Sequence, residues 1–166
     1  MTKTIVCRVT TTGQIDALSQ LAAEIWNQHY VPIIGQAQVD YMLEKFQSPE
    51  AIRGQIEEGH EYYLLWNDAE PVAYMSVVPG PDHLMLSKLY VKADCRCGGL
   101  GSRLLELARE RARALQVERI LLRVNRHNAE AIDWYLARGF RVDREDRQSI
   151  GGGFDMDDYI LEDRLS

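Results

Sequence analysis

The spacing of apolar and polar positions changes several times along the chain, and each change predicts an element. Ile5 to Val9 alternates and carries β-branched residues, which predicts a strand, and Thr11 with Gln14 three positions later forms a capping box for a helix. Ile15, Leu18, Leu21, Ala22 and Ile25 recur at spacings of three and four along that helix. The pattern fades between Asn27 and Pro32, and Gly35 interrupts it again, so a loop is expected there. Val39, Met42, Leu43 and Phe46 open a second helix. Ser48 and Pro49 suit the N-cap and first turn of a short third helix ending near Gly59.

From Glu61 the period becomes that of strands: Tyr62 to Trp66, Pro71 to Val78 and His83 to Val91, joined by short turns at Asn67-Asp68 and Pro79 to Asp82. Leu100, Leu104, Leu107, Ala108, Ala112 and Leu115 then mark one face of a long helix. Its other face carries Arg103, Arg109, Arg111 and Arg113 interleaved with Glu106 and Glu110, a pattern of solvated ion pairs. Ile120 to Val124 reads as a buried strand and Ala129 to Arg138 as a helix closed by Gly139. Phe140 to Arg147 and Phe154 to Leu161 read as a terminal strand pair. This order requires an α/β (α+β) architecture, a mixed sheet with helices on its faces, and 166 residues suit one domain spanning positions 1–166.

Composition narrows the partners. Apolar residues at 46% and charged residues at 27% are those of a globular protein with a real core. Lys and Arg number 19 against 25 Asp and Glu, a net charge of −6, which disfavours nucleic acid and leans towards a cationic small molecule. No apolar run is long enough for a membrane span and Met1 to Thr10 lacks a signal peptide's apolar stretch, so a cytoplasmic protein is expected. Cys7, Cys95 and Cys97 form no even disulfide framework. His29, His60, His83 and His127 show no ligand spacing with them, so free thiols and no metal are expected.

The stretch richest in chemistry is Leu89-Tyr90-Val91, a short turn, and then Arg96-Cys97-Gly98-Gly99-Leu100-Gly101-Ser102 running into the long helix. The first turn of a helix presents N–H groups without internal partners at a positive dipole end, and glycines let a ligand approach the backbone. That is an anion cradle, with Arg96 adding charge at its rim and the Ser102 hydroxyl a further donor; a plain glycine-rich helix start is the other reading. A P-loop would need Lys and Ser/Thr after Gly101, and a dinucleotide fingerprint would need glycine where Leu104 stands.

The Arg-x-x-Gly-x-Gly pattern after a strand resembles motif A of the GCN5-related N-acetyltransferases. Asn128-Ala129, Trp134-Tyr135 and Gly139-Phe140 resemble that family's downstream signature. The resemblance implies a single mixed, mostly antiparallel sheet of about seven strands, splayed at its centre, with acetyl-coenzyme A (acetyl-CoA) as co-substrate and no metal. It implies that the backbone of Leu89 to Val91 pairs with the pantetheine arm and that Arg96, Cys97, Gly98, Gly99, Leu100, Gly101 and Ser102 hold the pyrophosphate. Asn128 would bond the pantetheine region. Tyr135 would sit by the thioester sulfur, where a phenol can serve as general acid to the departing thiolate; its plainer reading is a core aromatic.

Many members place a glutamate base on the motif A strand, yet His83 to Val91 holds no carboxylate, and that position falls at or near Ser87. Substitutes are Glu24, His29 and Tyr30, or Asp155, Asp157 and Asp158. Trp26 to Tyr30 and Ile33 to Gly35 would line the acceptor pocket, giving Trp26, His29, Tyr30 and Asp157 as substrate-side candidates, and Gly151 to Gly153 would be either a mobile lip or a simple hairpin loop. The Tyr30 to Gly35 and Gly151 to Asp158 segments are similar to PaiA-like polyamine acetyltransferases. Cys95 and Cys97 flank the cradle, where a helix N-terminus can depress a thiol pKa; the alternative is incidental turn residues. A homodimer is common in the family, with Leu161 a candidate contact. The expected function is acetyl transfer to a primary amine, a polyamine first, or to a peptide amine. The alternative is a CoA-binding module without turnover.

Overall fold

The computed structural model of the protein describes residues 3–165. Among these are seven strands, β1 (Thr4–Arg8), β2 (Glu61–Asn67), β3 (Glu70–Pro79), β4 (Leu84–Val91), β5 (Arg119–Asn125), β6 (Arg141–Gly151) and β7 (Phe154–Arg164). The helices are α1 (Thr12–His29), α2 (Val31–Ile34), α3 (Gln36–Gln47), α4 (Pro49–Glu57), α5 (Leu100–Ala114) and α6 (Ala129–Leu136).

Local chemistry accounts for most boundaries. Thr11 accepts from the Gln14 N–H while the Gln14 side chain accepts from the Thr11 N–H, completing the capping box. Ser48 caps α4 through the Ala51 N–H, with Pro49 in the first turn. The loop expected around Pro32 is instead the four-residue α2: proline tolerates a first helical turn, and Gly35 at φ 86° separates it from α3. The last two strands outrun their predicted ends. They meet at a tight turn whose Gly152 and Gly153 have φ 62° and 80°, and Tyr41 Oη donates to the Ile150 carbonyl at 2.8 Å. The glycine segment therefore lies docked on α3, where a Cβ at Gly152 would stand 2.8 Å from the Tyr41 ring.

The sheet runs in the order β1-β2-β3-β4-β5-β7-β6, a single mixed sheet with helices on both faces, as expected. Every neighbouring pair is antiparallel except β4 with β5, which register only over Leu84–Leu86 against Ile120–Leu122. Beyond those residues the central strands part. A bulge sits at the same place: Ser76 faces Lys88 while Val77 faces Leu86, leaving Ser87 as the extra residue. The bulge reverses the alternation of side chains. Leu84, Leu86, Leu89 and Val91 join the core under α5, whereas Lys88 reaches the α3–α4 junction and Tyr90 packs with the aromatics beneath α1.

One core layer joins Leu104, Leu105, Ala108 and Ala112 of α5 to the sheet, and the other joins Leu18, Ala22 and Ile25 of α1 and Ile52 of α4 to Tyr62, Leu64 and Tyr74. Two surface expectations change. Leu161 is fully buried in the first layer, so it makes no contact with a second copy. The arginine face of α5 is only partly solvated, because Arg111 forms two bonds of 2.9 and 2.8 Å to the buried Glu61 and Arg109 reaches Asp163 at 3.0 Å. Among the described residues no helix is long and apolar enough to cross a membrane.

Candidate active site

Where β4 and β5 diverge, the sheet opens into a cavity of about 540 Å³. Leu89, Tyr90 and Val91 form one wall, Val124 and Asn128 the other, and Tyr135 lies between them. Arg96, Cys97, Gly99, Leu100, Gly101 and Ser102 close one end, and His29 and Tyr30 approach from α1. Gly98, Trp26 and Asp157 are not in the wall. Trp26 stacks behind Tyr30 with ring centroids 4.4 Å apart, and Asp157 lies 3.0 Å from Arg126.

The cradle end follows from backbone chemistry. Gly99 stands at the N-cap of α5 with φ 79°, and no side chain caps the helix, so its first N–H groups keep no protein acceptor. Gly101 has a packing reason to be glycine: a Cβ there would come within 3.1 Å of the Trp134 ring, which presses on the first turn. Arg96 donates from Nε to the Val91 carbonyl at 3.2 Å and sits 3.7 Å from Glu130. One backbone acceptor proposed for the pantetheine arm is thus engaged by the protein itself. The thiol of Cys95 is pushed up by burial and by the neighbouring Asp94, opposite to the depression expected of a reactive cysteine.

Tyr135 is nearly buried, with its ring edge-on to Trp134 and Phe140 at 5.1 and 5.3 Å. Burial raises its phenol well above the ordinary tyrosine value, so it holds its proton across the neutral and mildly alkaline range. Asn128 ties three groups together. Its Oδ1 accepts from the Ala131 N–H at the start of α6 and lies 3.2 Å from His29 Nε2, while its Nδ2 donates to Tyr30 Oη at 3.2 Å. Because that oxygen is an acceptor, His29 Nε2 is the donor in this contact, which in the neutral ring makes Nδ1 the acceptor nitrogen. Burial likewise raises Tyr30, so its phenol stays protonated and is not available as a base.

The carboxylates proposed in place of a strand glutamate are all ion-paired: Glu24 with Lys92 at 3.4 Å, Asp155 with Arg147 at 3.0 Å, Asp157 with Arg126 at 3.0 Å and Asp158 with Arg123 at 3.1 Å. Of these, Asp158 is buried, which raises its pKa despite Arg123. His29 and Tyr30 line the cavity without an ion-pair partner, and of the two only His29 offers an imidazole base. The structure also brings in residues that motif reading passed over. Arg138 lies in the wall, and its four-residue spacing from Trp134 was the available signal. Lys88 is buried with no carboxylate beside it, a placement made by the bulge at Ser87, which no local pattern announces. Among the described residues no group of three His, Cys, Asp or Glu side chains could hold a metal.

The sequence model of the family described as "Acetyltransferase (GNAT) family" matches residues 19–140. Among solved structures, the PaiA N-acetyltransferase of Thermoplasma acidophilum, determined with coenzyme A, superposes with TM-score 0.81 at 18% identity, covering 98% of this chain and 99% of that one. A GCN5-related N-acetyltransferase of Rhodopseudomonas palustris gives 0.82 at 15% identity over 99% and 98% of the two chains. The ribosomal-protein-S18-alanine N-acetyltransferase of Escherichia coli gives 0.73 at 19% over 99% and 95%.

Proposed function

Because this chain belongs to the GNAT acetyltransferase family, we propose that it transfers the acetyl group of acetyl-CoA directly to a primary amine, a polyamine before other small amines or peptides. The observation that supports this best is a cleft between parted parallel strands that ends on the uncapped N-terminus of α5 and has a buried, protonated tyrosine in its wall. The residues fit the co-substrate. An extended arm finds strand backbone on either side, and a pyrophosphate finds free N–H groups, the helix dipole and Arg96. When bound, acetyl-CoA supplies an activated thioester.

Tyr135 then donates its hydroxyl proton towards the departing sulfur, a thiolate of ordinary pKa about 8.5. The amine must first lose a proton, since an alkylammonium of pKa about 10.4 is neutral to only roughly one part in a thousand at pH 7, a handicap of about 4 kcal/mol. His29 Nδ1 takes that proton, held in the right tautomer by Asn128. A net charge of −6 favours a cationic acceptor and supports the polyamine preference.

Release of free CoA thiol from acetyl-CoA, measured against spermidine, lysine, aminoglycosides and short peptides, tests the reading. Turnover is expected with small polyamines. His29→Gln is expected to lower kcat/KM for the amine at least tenfold at pH 7 and much less at pH 9.5, where more amine is already neutral. Turnover with no amine, despite tight CoA binding, would replace the enzyme by a coenzyme sensor.

A further inference from the structure

We propose that Arg138, mounted on Trp134 and Ser102, reads the 3′-phosphate of the coenzyme's ribose and makes this protein selective for CoA over 3′-dephospho-CoA. The inference rests on the coenzyme reading above and assigns a part of the ligand that the cradle leaves unbound.

The guanidinium of Arg138 lies 3.9 Å over the Trp134 ring, its Nε donates to Ser102 Oγ at 3.2 Å, and its Nη1 donates to the Trp134 carbonyl at 3.0 Å. Two of five N–H groups are spent on holding the side chain in place, and three remain for a ligand. Stacking and hydrogen bonding fix the plane of the group before any ligand arrives, which is the arrangement that favours two-pronged binding of a phosphate.

Charge separates Arg138 from the other two arginines of the cavity wall. In this acidic chain Arg96 faces Glu130 and Arg123 faces Asp158. Among the described residues Arg138 has no carboxylate within 4.0 Å, although it lines the cavity. An arginine held rigid and left without a counter-ion at a cavity rim is arranged for an anion from outside.

Position selects which anion. The bare N–H groups at Gly99, Leu100 and Gly101 begin α5, and Arg96 serves that end from the β4 side. Arg138 reaches the same helix one residue further along, at Ser102, from just beyond the end of α6. The 3′ and 5′ oxygens of a ribose share one small ring, so a 3′-phosphate must lie beside the pyrophosphate without coinciding with it. Two adjacent anion sites at successive residues of one helix turn match that requirement.

The test is calorimetric titration of CoA and of 3′-dephospho-CoA into the wild-type protein and Arg138→Gln, with Arg138→Lys as a second variant that keeps the charge. Wild type is expected to prefer CoA at least tenfold, Arg138→Gln to bind the two ligands within about twofold of each other, and Arg138→Lys to restore part of the preference. Equal binding of both ligands by wild type, or equal weakening of both by Arg138→Gln, would overturn the assignment; the latter would make Arg138 a pyrophosphate ligand. Failure of wild type to bind either ligand would instead sink the coenzyme reading, and this one with it. Circular dichroism of each variant separates loss of fold from loss of contact.

Discussion

His29 Nε2 and Asn128 Oδ1 meet at 3.2 Å, and that contact joins the end of α1 to the start of α6 across the mouth of the cleft. The same Asn128 oxygen caps α6 through the Ala131 N–H, so helix capping and the orientation of the imidazole depend on one side chain. Asn128→Ala is expected to cost about 1–2 kcal/mol of stability, the usual range for a lost N-cap, measured as a lower urea midpoint. It should also lower kcat/KM for the amine, because His29 loses the partner that sets its tautomer. A variant with wild-type midpoint and rate would remove both roles.

Tyr135→Phe keeps the ring among Trp134 and Phe140 and removes only the hydroxyl. Turnover is expected to fall at least tenfold with the acetyl-CoA dissociation constant little changed. Since burial raises the phenol's pKa, wild-type activity should show no falling alkaline limb from Tyr135 below about pH 10. Equal turnover in both proteins would end its assignment as the acid.

Gly99 and Gly101 are expected to fail differently. At Gly99 the φ of 79° makes any side chain strained, while a Cβ would meet no protein atom within 4 Å. Gly99→Val should therefore cost about 1–2 kcal/mol in stability and weaken CoA binding through the space it fills. Gly101→Val would push on the Trp134 ring, already 3.1 Å from the site of a Cβ, and should lower turnover by displacing α6 and Tyr135 with it. Titration calorimetry and steady-state rates on the two variants distinguish a blocked cradle from a shifted helix.

Lys88 makes stability depend on alkaline pH. Burial pushes its pKa down to about 7, while Nζ donates to the Phe46 carbonyl at 2.9 Å and Gln55 Oε1 at 3.2 Å and contacts Tyr62 Oη. The unfolded chain binds this proton near its ordinary value of about 10.4. Between those values the unfolded state holds more protons, so Lys88 contributes a rise in stability as pH increases from about 7 to about 10, and no slope below 7. Lys88→Met should lack that rise: its stability relative to wild type is expected to be highest at neutral pH and to decline by about 2 kcal/mol or more towards pH 10. Chemical denaturation of both proteins across that range checks the sign. A constant difference would mean that Lys88 stays charged in the fold.

Much of this protein is written in local pattern. The capping box at Thr11, the Ser48-Pro49 start of α4, the stripe of α5 and the glycine run before it depend on neighbours within a few residues, so spacing alone determined the elements. The linked signature of Arg96 to Gly101, Asn128, Tyr135 and Gly139-Phe140 determined the family, because its backbone approach to a phosphate demands glycine at set positions.

What only tertiary structure decided involves residues far apart in the chain. The parting of β4 from β5 after three registered pairs made the cavity, and the bulge at Ser87 sent the Lys88 ammonium to the α3–α4 junction. The pairing of Asp158 with Arg123, of Glu24 with Lys92 and of Arg111 with Glu61 removed groups that looked free in sequence. The burial of Leu161 did the same for a supposed contact surface. Short-range spacing sets which elements form, while charge neutralisation and burial are set by whatever the fold brings within a few ångströms; His29 at the cleft and Arg138 without a counter-ion emerge only there.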